Sequence, residues 1–378
     1  MKILFLILLF TATALPAQVA ELTLLDVSTK QPIPNVEAYY TRSLNGTITN
    51  EEGKLRIAVE NDTLTLSHIG YATKKIFTDK TFAKATIYLN PQEIQLEEVV
   101  LYNFDLKKKV KYVLDNYFKL YDTKAKILEC TYREKTTKND KLIRLYQNQL
   151  NWWSKNYVYQ FKEPLNKFTH IQLKSTDYSK IIGKEEDTSN ELSLEQRRLI
   201  MYLHLNPYLV FLYNAKTIDI KKVEKDNEYT IVTFDADFGK FDLNVFNSVI
   251  YFDNQTNAIK KIIFNQVPYT KERVSEKSKI PYKSTPEFAT WELTFTSYKD
   301  KLLFSSFAVK AKVRVEFEEK TYIYFSEENF LRTGIQNKHI KKEDRIEVEK
   351  PFFEYVTPHK QGEAKFLLTK EEQDFINQ

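Results

Sequence analysis

Apolar and polar residues alternate over short runs through most of the chain, the two-residue period of half-buried strands. Between residues 19 and 102 the runs are closely spaced. Leu22, Leu24 and Asp26 share one strand face, as do Val36, Ala38 and Tyr40, and Leu55, Ile57 and Val59. Leu64 with Leu66, and Ile87 with Leu89, continue the pattern. Turn chemistry separates the runs at Pro32 with Pro34, Asn45-Gly46, Glu52-Gly53 and Asn61-Asp62. Asn45-Gly46 is the kind of pair that tolerates positive φ in a tight turn. Short strands at this spacing predict a β-sandwich.

The period changes at residues 103–122. Leu106, Val110, Val113, Leu114, Tyr117 and Tyr121 line one side of a helix, with Lys107, Lys108, Lys111 and Lys119 on the other. Such a helix either lies on a membrane surface or links and packs against the next domain. Asp105, Asp115 and Asp122 dilute its charge and favour the packed linker.

Residues 123–378 read as an antiparallel β-rich domain. Tyr132-Arg-Glu-Lys-Thr, the polar turn Lys138-Asn-Asp-Lys141 and Leu142–Tyr146 form a hairpin pattern. Residues 193–213 look helical, with Ser193 as cap and Gln196 at the capping-box position. Pro207 is expected to break this stretch into two short helices. Its apolar residues, among them Leu199, Leu203, Leu209 and Phe211, cover most of the surface, so it should be buried and could close an apolar cavity. Strands follow at Tyr229–Phe234, Ser248–Phe252, Ala258–Phe264, Trp291–Tyr298, Leu302–Phe307, Lys310–Phe317 and Thr321–Phe325.

The first 18 residues have the form of a secretion signal. Lys2 precedes the apolar run Ile3–Phe10, and small residues at Thr11–Ala17 lead to a cleavage point near Ala17 or Gln18. The run is shorter than the roughly 20 residues of a spanning helix, which disfavours a membrane anchor. There is no Cys near the cleavage point to carry a lipid, and no later segment reads as a transmembrane helix.

A length of 378 residues predicts two or three domains. The single Cys130 cannot form an internal disulfide and reads as a buried small hydrophobe. Basic and acidic residues number 56 and 51, and the basic runs Lys107–Lys109 and His339–Lys342 are short. No concentrated basic face suggests a nucleic-acid partner. With 24 Tyr, 26 Phe and only seven Gly, the composition suits aromatic-rich strands and leaves no glycine-rich phosphate loop.

Within the first module Gln31-Pro-Ile-Pro-Asn-Val36 is followed by Asn45-Gly-Thr-Ile-Thr-Asn-Glu-Glu-Gly-Lys54, Leu64-Thr-Leu-Ser-His-Ile-Gly-Tyr71 and Leu96-Glu-Glu-Val-Val100. That order resembles the carboxypeptidase regulatory-like domain. Gly46, Thr47, Thr49, Gly53, Ile69, Gly70, Tyr71, Leu96, Glu98, Val99 and Val100 match its outline, while Glu21 and Asn35 stand where Gly is usual. The resemblance implies a transthyretin-like, seven-stranded β-sandwich. It also implies an exported protein of a Bacteroidetes-type envelope, of the kind that includes TonB-linked outer-membrane receptors. No catalytic residues come with it. The chain is too short for a receptor's plug and barrel. The Tyr132-Arg-Glu134 strand after a helix resembles the second domain often found behind such modules. A curved sheet around one or two helices would be analogous in architecture to lipoprotein-carrier half-barrels.

Four constellations could carry chemistry. Asp235, Asp237 and Asp242 surround Phe238-Gly239, but their spacing fails the EF-hand pattern and suits a polar hairpin turn. His68, His170, His204, His339 and His359 show no metal-ligand spacing, and there is no Gly-x-Ser-x-Gly elbow. Trp152-Trp153 with Tyr157, Tyr159 and Phe161 would stack on sugars or a membrane if exposed, and is read as sheet core. Asp62-Thr63-Leu64 has the form of a bacterial O-glycosylation acceptor, and equally of a strand starting after a turn. No catalytic, cofactor-binding or metal residue is assigned, and no cofactor. The expectation is a non-catalytic envelope protein, a sandwich adaptor followed by a binding or docking β-domain, with outer-membrane or envelope proteins as partners. Two alternatives stay open: a periplasmic carrier with an open apolar cavity under Leu199–Tyr213, and a hydrolase with polar groups clustered in a cleft.

Overall fold

The computed structural model describes residues 18–68, 70–91, 97–98, 104–182, 196–239, 244–275, 278–347, 350, 352–358 and 367–378. Residues 1–17 of the stretch read as a secretion signal, with Ile69, Leu96, Val99, Val100, Ser193, Asp242 and His359, lie outside the described residues. Two compact units divide between Gln92 and Glu93.

The first unit holds seven strands: β1 (Val19–Asp26), β2 (Glu37–Tyr40), β3 (Gly46–Ile48), β4 (Lys54–Ala58), β5 (Asp62–His68), β6 (Tyr71–Thr78) and β7 (Ala85–Leu89). They form two sheets, ordered β4-β1-β7 and β3-β2-β5-β6. Every pair is antiparallel except β1 with β7. Leu22, Leu24, Ala38, Tyr40, Leu64 and Ile87 meet in the core between the sheets. The alternation of the sequence is therefore the in–out pattern of a sandwich.

The turns explain the glycine pattern. Gly53 has φ +68°, and a Cβ there would sit 2.5 Å from the Leu24 carbonyl oxygen. Asn35, where Gly was usual, also has positive φ (59°). Asn tolerates that region better than other side-chain-bearing residues, so the departure keeps the turn. Asn45-Gly46 differs from expectation, because the positive φ falls on Leu44 instead. Gly46 is needed for space: a Cβ would lie 2.8 Å from the Ala38 carbonyl oxygen.

The second unit begins with the short strand β8 (Glu97–Glu98), which pairs with β12 (Thr217–Lys225). Helices α1 (Leu106–Asp115) and α2 (Tyr117–Leu120) follow, interrupted at Asn116. Asp105 caps α1 by accepting from the Lys108 amide. Strands β9 (Lys126–Lys138), β10 (Lys141–Ser154) and β11 (Thr169–Ile181) form a meander. The β9–β10 turn is the expected Asn139-Asp140, both with positive φ (49° and 63°), as a two-residue primed hairpin requires. Helices α3 (Gln196–Tyr202) and α4 (Leu205–Tyr213) come next. Then follow β13 (Tyr229–Asp237), β14 (Asn244–Asp253), β15 (Ile259–Asn265), β16 (Lys271–Val274), β17 (Pro281–Tyr298), β18 (Lys301–Phe317) and β19 (Lys320–Gln336), and finally α5 (Lys370–Asn377).

Two expectations are corrected here. The helical stretch breaks at Leu203–His204, not at Pro207. Pro207 lies in the first turn of α4, where no amide donor is required of it. The runs Leu302–Phe307 and Lys310–Phe317 are one strand, because Phe307, Val309, Val313 and Val315 keep a single buried face through Lys310.

Eleven strands make one open sheet in the order β11-β10-β9-β19-β18-β17-β15-β14-β13-β12-β8, with β16 added beside β17. Ile171 of β11 and Val223 of β12, near opposite ends of that order, share one core with Val110 and Val113 of α1 and Leu209 and Leu212 of α4. The helices and strands from both ends of the sheet thus contribute to one continuous core. The helix after the first module is thus packed in this core rather than lying on a membrane. No helix among the described residues is long and apolar enough to cross a bilayer.

Candidate functional site

The break between α3 and α4 leaves a small cavity beneath the helices. Its wall includes Tyr117, Tyr121, Trp152, Tyr157, Phe295 and Phe304, with Asp122 and Thr123 at one side, and its volume is about 20 Å³. That is room for about one water molecule. The tyrosines are committed within the wall. Tyr121 Oη donates to the Ile259 carbonyl (3.1 Å) and accepts from its amide (2.8 Å), and Tyr157 Oη donates to the Lys126 carbonyl (2.8 Å). Burial holds all three phenols well above their ordinary pKa.

His204, the N-cap of α4, lines this cavity and is 1% exposed. Its Nδ1 donates to the Ile200 carbonyl at 2.7 Å, and its ring meets Trp152 edge-on at 5.3 Å. Burial lowers its pKa to about 4, so the ring is neutral at physiological pH and Nε2 is an acceptor. Nε2 has no hydrogen-bond partner among the described residues. The cavity wall thus offers aromatic and aliphatic carbon, one neutral imidazole acceptor, and at one side Thr123 and Asp122, whose carboxylate pairs with Lys126.

A second concentration of polar groups is built on Tyr132-Arg-Glu134 of β9. Side chains alternate along a strand, so the triplet addresses both faces. On the core face, Tyr132 Oη donates to Glu328 Oε2 (2.6 Å) and Tyr146 Oη to Glu134 Oε2 (2.5 Å). Arg144 Nη1 donates to Glu134 Oε1 (2.7 Å), and Thr136 Oγ1 to the same oxygen (3.2 Å). Burial raises the Tyr132 and Tyr146 phenols far above their usual pKa, and Glu328 and Glu134 add to this. Both therefore stay protonated and donate. Phe352 packs on the Tyr132 ring (4.7 Å), and the Arg144 guanidinium lies 4.2 Å over the Phe353 ring. On the other face, Arg133 Nη2 and Lys135 Nζ both reach Glu372 of α5, at 2.6 and 3.1 Å. Burial opposes charge on Glu372, but Arg133 and Lys135 outweigh it and hold the carboxyl below its usual pKa. These carboxylates are enclosed acceptors with internal partners, which suits cohesion rather than general acid–base work.

The residues singled out in the sequence separate by role. Cys130 is buried at 1% exposure, and its thiol donates to the Leu128 carbonyl (3.5 Å). Trp152, Tyr157 and Tyr159 are core, whereas Trp153 faces the other way and stacks on His170 at 4.9 Å, with His339 beside it. Phe161 is half exposed. Asp235 accepts from the Asn247 amide and pairs with Lys221, and Asp237 accepts from the Gly239 amide, as in a polar turn. Asp62 binds the Arg42 backbone and side chain while Thr63 opens β5. His68 packs edge-on against Tyr71. The sequence reading did not single out the buried pair Glu134–Arg144, nor Glu328, which accepts from Tyr132. The available signal was a charged residue at an inward position of a strand.

A search of curated proteins gives no significant match. Among solved structures, a LolA superfamily protein from Nitrosomonas europaea aligns at 9% identity and a TM-score of 0.25, covering 67% of this chain and 100% of its own. A protein of unknown function from Bacteroides fragilis aligns at 8% identity and a TM-score of 0.15, covering 84% of this chain and 98% of its own. At such TM-scores neither likeness bears on fold or function. The sequence model of the CarboxypepD_reg-like domain family matches residues 23–101, a stretch that carries the ordered motifs and includes most of the seven-stranded sandwich, Val19–Leu89. Residues 23–101 therefore belong to the CarboxypepD_reg-like domain family.

Proposed function

We propose that the protein is a non-catalytic, exported envelope protein that acts by docking to other envelope components through its surfaces. The observation that carries this reading is that, among the described residues, helices α1 and α4 pack into the core of the large sheet and the cavity at the α3–α4 break is only about 20 Å³, far below the roughly 300 Å³ at which small-molecule pockets begin. The CarboxypepD_reg-like module, which brings no catalytic residues by resemblance, and the signal-like start Lys2–Ala17 support an exported, non-enzymatic role. The carboxylates of Glu134 and Glu328 support it further, because each is buried and accepts from internal donors among the described residues.

One observation favours a second reading. The cavity lies under the α3–α4 pair, where a carrier of an apolar ligand would need it, and His204 Nε2 lacks a partner there among the described residues. Native mass spectrometry of the mature protein, purified gently from its own envelope, separates the two. Docking predicts a bare mass, no uptake of added envelope lipids, and crosslinks to envelope proteins. A lipid or acyl-bearing species that survives desalting would overturn docking in favour of the carrier.

A further inference from the structure

We propose that β6 is a docking edge, and that it takes an extended, acidic segment of a partner protein as an added strand. The inference rests on the docking reading and names a surface for it. Strand β6 ends its sheet. One side pairs with β5 through Asp62–His68. On the other side the Ala72 amide donates to the Asn90 carbonyl (2.9 Å) and Tyr71 bridges Pro91. Beyond that point, residues 73–78 form no backbone ladder on that side among the described residues; the Lys74 ammonium reaches back to the Tyr88 carbonyl of β7 (3.1 Å), leaving residues 75–78 as the open stretch. Four residues are enough to receive a short strand.

The charge along this edge is one-sided. Between Tyr71 and Pro91 stand Lys74, Lys75, Lys80 and Lys84 against a single acid, Asp79. The Asp79 carboxylate is taken by the amide and hydroxyl of Thr81, at 2.8 and 2.7 Å. Elsewhere in the module Arg42, Lys54 and Arg56 each pair with a carboxylate. The four lysines are exposed and make no ion pair among the described residues. Lysines alone would read as protection of a bare edge against self-pairing. Phe77 points beyond protection. It is 64% exposed, the most exposed large apolar side chain among the described residues. It shares the outward face of β6 with Lys75. Cation plus apolar contact on one bare edge suits a strand that sets acidic residues opposite Lys74 and Lys75 and an apolar residue opposite Phe77. A second copy of this chain fits poorly, because lysines would oppose lysines.

The test uses the full mature chain and three probes: a capped hexapeptide with the core Val-Thr-Glu-Glu (the Glu–Val peptide), its counterpart with Lys in place of Glu (the Lys–Val peptide), and vesicles of anionic phospholipid. The Glu–Val peptide should bind, slow hydrogen exchange at residues 73–78, and lose about tenfold in affinity with Lys74→Glu/Lys75→Glu. Both side chains are exposed, so an unchanged melting temperature will show that this variant folds. Phe77→Ala should weaken binding without touching the lysines. The proposal is overturned by absent protection at 73–78, by equal binding of the Lys–Val peptide, or by lysine-dependent binding to vesicles with none to the peptide. If the peptide fails while the protein still crosslinks to envelope proteins through the second unit, β6 is the wrong surface and the docking reading stands. Co-purified acyl cargo with no crosslinks would remove the docking reading itself.

Discussion

Arg144 and Glu134 sit 2.7 Å apart across the β9–β10 hairpin, exposed to only 1% and 2%. A pair so enclosed need not add net stability, but removing one partner leaves the other charge without compensation. Arg144→Met should therefore lower stability by about 3–5 kcal/mol. Glu134→Gln in the same chain should restore part of the loss. Urea midpoints at constant m-value are the measurement.

His204 should make the protein acid-sensitive well before its carboxylates do. Its folded pKa is about 4, and the unfolded value is about 6.5. Between these values the unfolded chain binds a proton that the folded chain refuses, so stability falls as pH drops from 6.5 toward 4. The full contribution is on the order of 3 kcal/mol. His204→Gln should flatten the stability–pH curve in that window. An unchanged slope would show that the ring is protonated, and therefore hydrated, in the folded state.

Gly53→Ala should destabilise the sandwich by at least about 2 kcal/mol, combining left-handed strain with the collision against the Leu24 carbonyl oxygen. Asn35→Gly should change stability by less than about 0.5 kcal/mol, since Asn35 already holds the conformation that glycine prefers. Thermal melting of both variants tests the contrast.

Glu372→Gln should loosen α5 while leaving the large core folded. The carboxylate binds Arg133 and Lys135 and also accepts from the Thr369 amide in a capping box. Hydrogen exchange at residues 370–377 should accelerate by at least tenfold, with little change in β17–β19. Equal acceleration in both regions would show that α5 is part of the global folding unit.

Much of this architecture was readable from local pattern. The alternation in Leu22–Asp26 and Val36–Tyr40, and the Asn139-Asp140 turn, are encoded within a few residues. Helix α1 was legible because Leu106, Val110 and Val113 keep one face. Strand lengths were harder. Lys310 looks like an interruption, yet its long side chain reaches Glu327 on the neighbouring strand at 3.2 Å and lets β18 continue. The polar cluster was illegible for a different reason. Glu134 meets Arg144 ten residues away, whereas Tyr132 meets Glu328 from across 196 residues. Only the assembled sheet brings β9 beside β19. The cavity at His204 likewise depends on a helix break that Pro207 pointed to in the wrong place.

The two-sided use of Tyr132-Arg-Glu134 has a consequence for how the chain finds its pairing. A slip of one residue in β9 exchanges its faces. Arg133 would then enter an aromatic interior around Tyr146 and Phe330, and Glu134 would confront the carboxylate of Glu372. Both outcomes bring an unpaired or like charge out of water. A hairpin assembled out of step would thus be rejected on each of its surfaces at once. The triplet acts as a proofreading mark for alignment, placed where the longest-range pairing of the large sheet has to close.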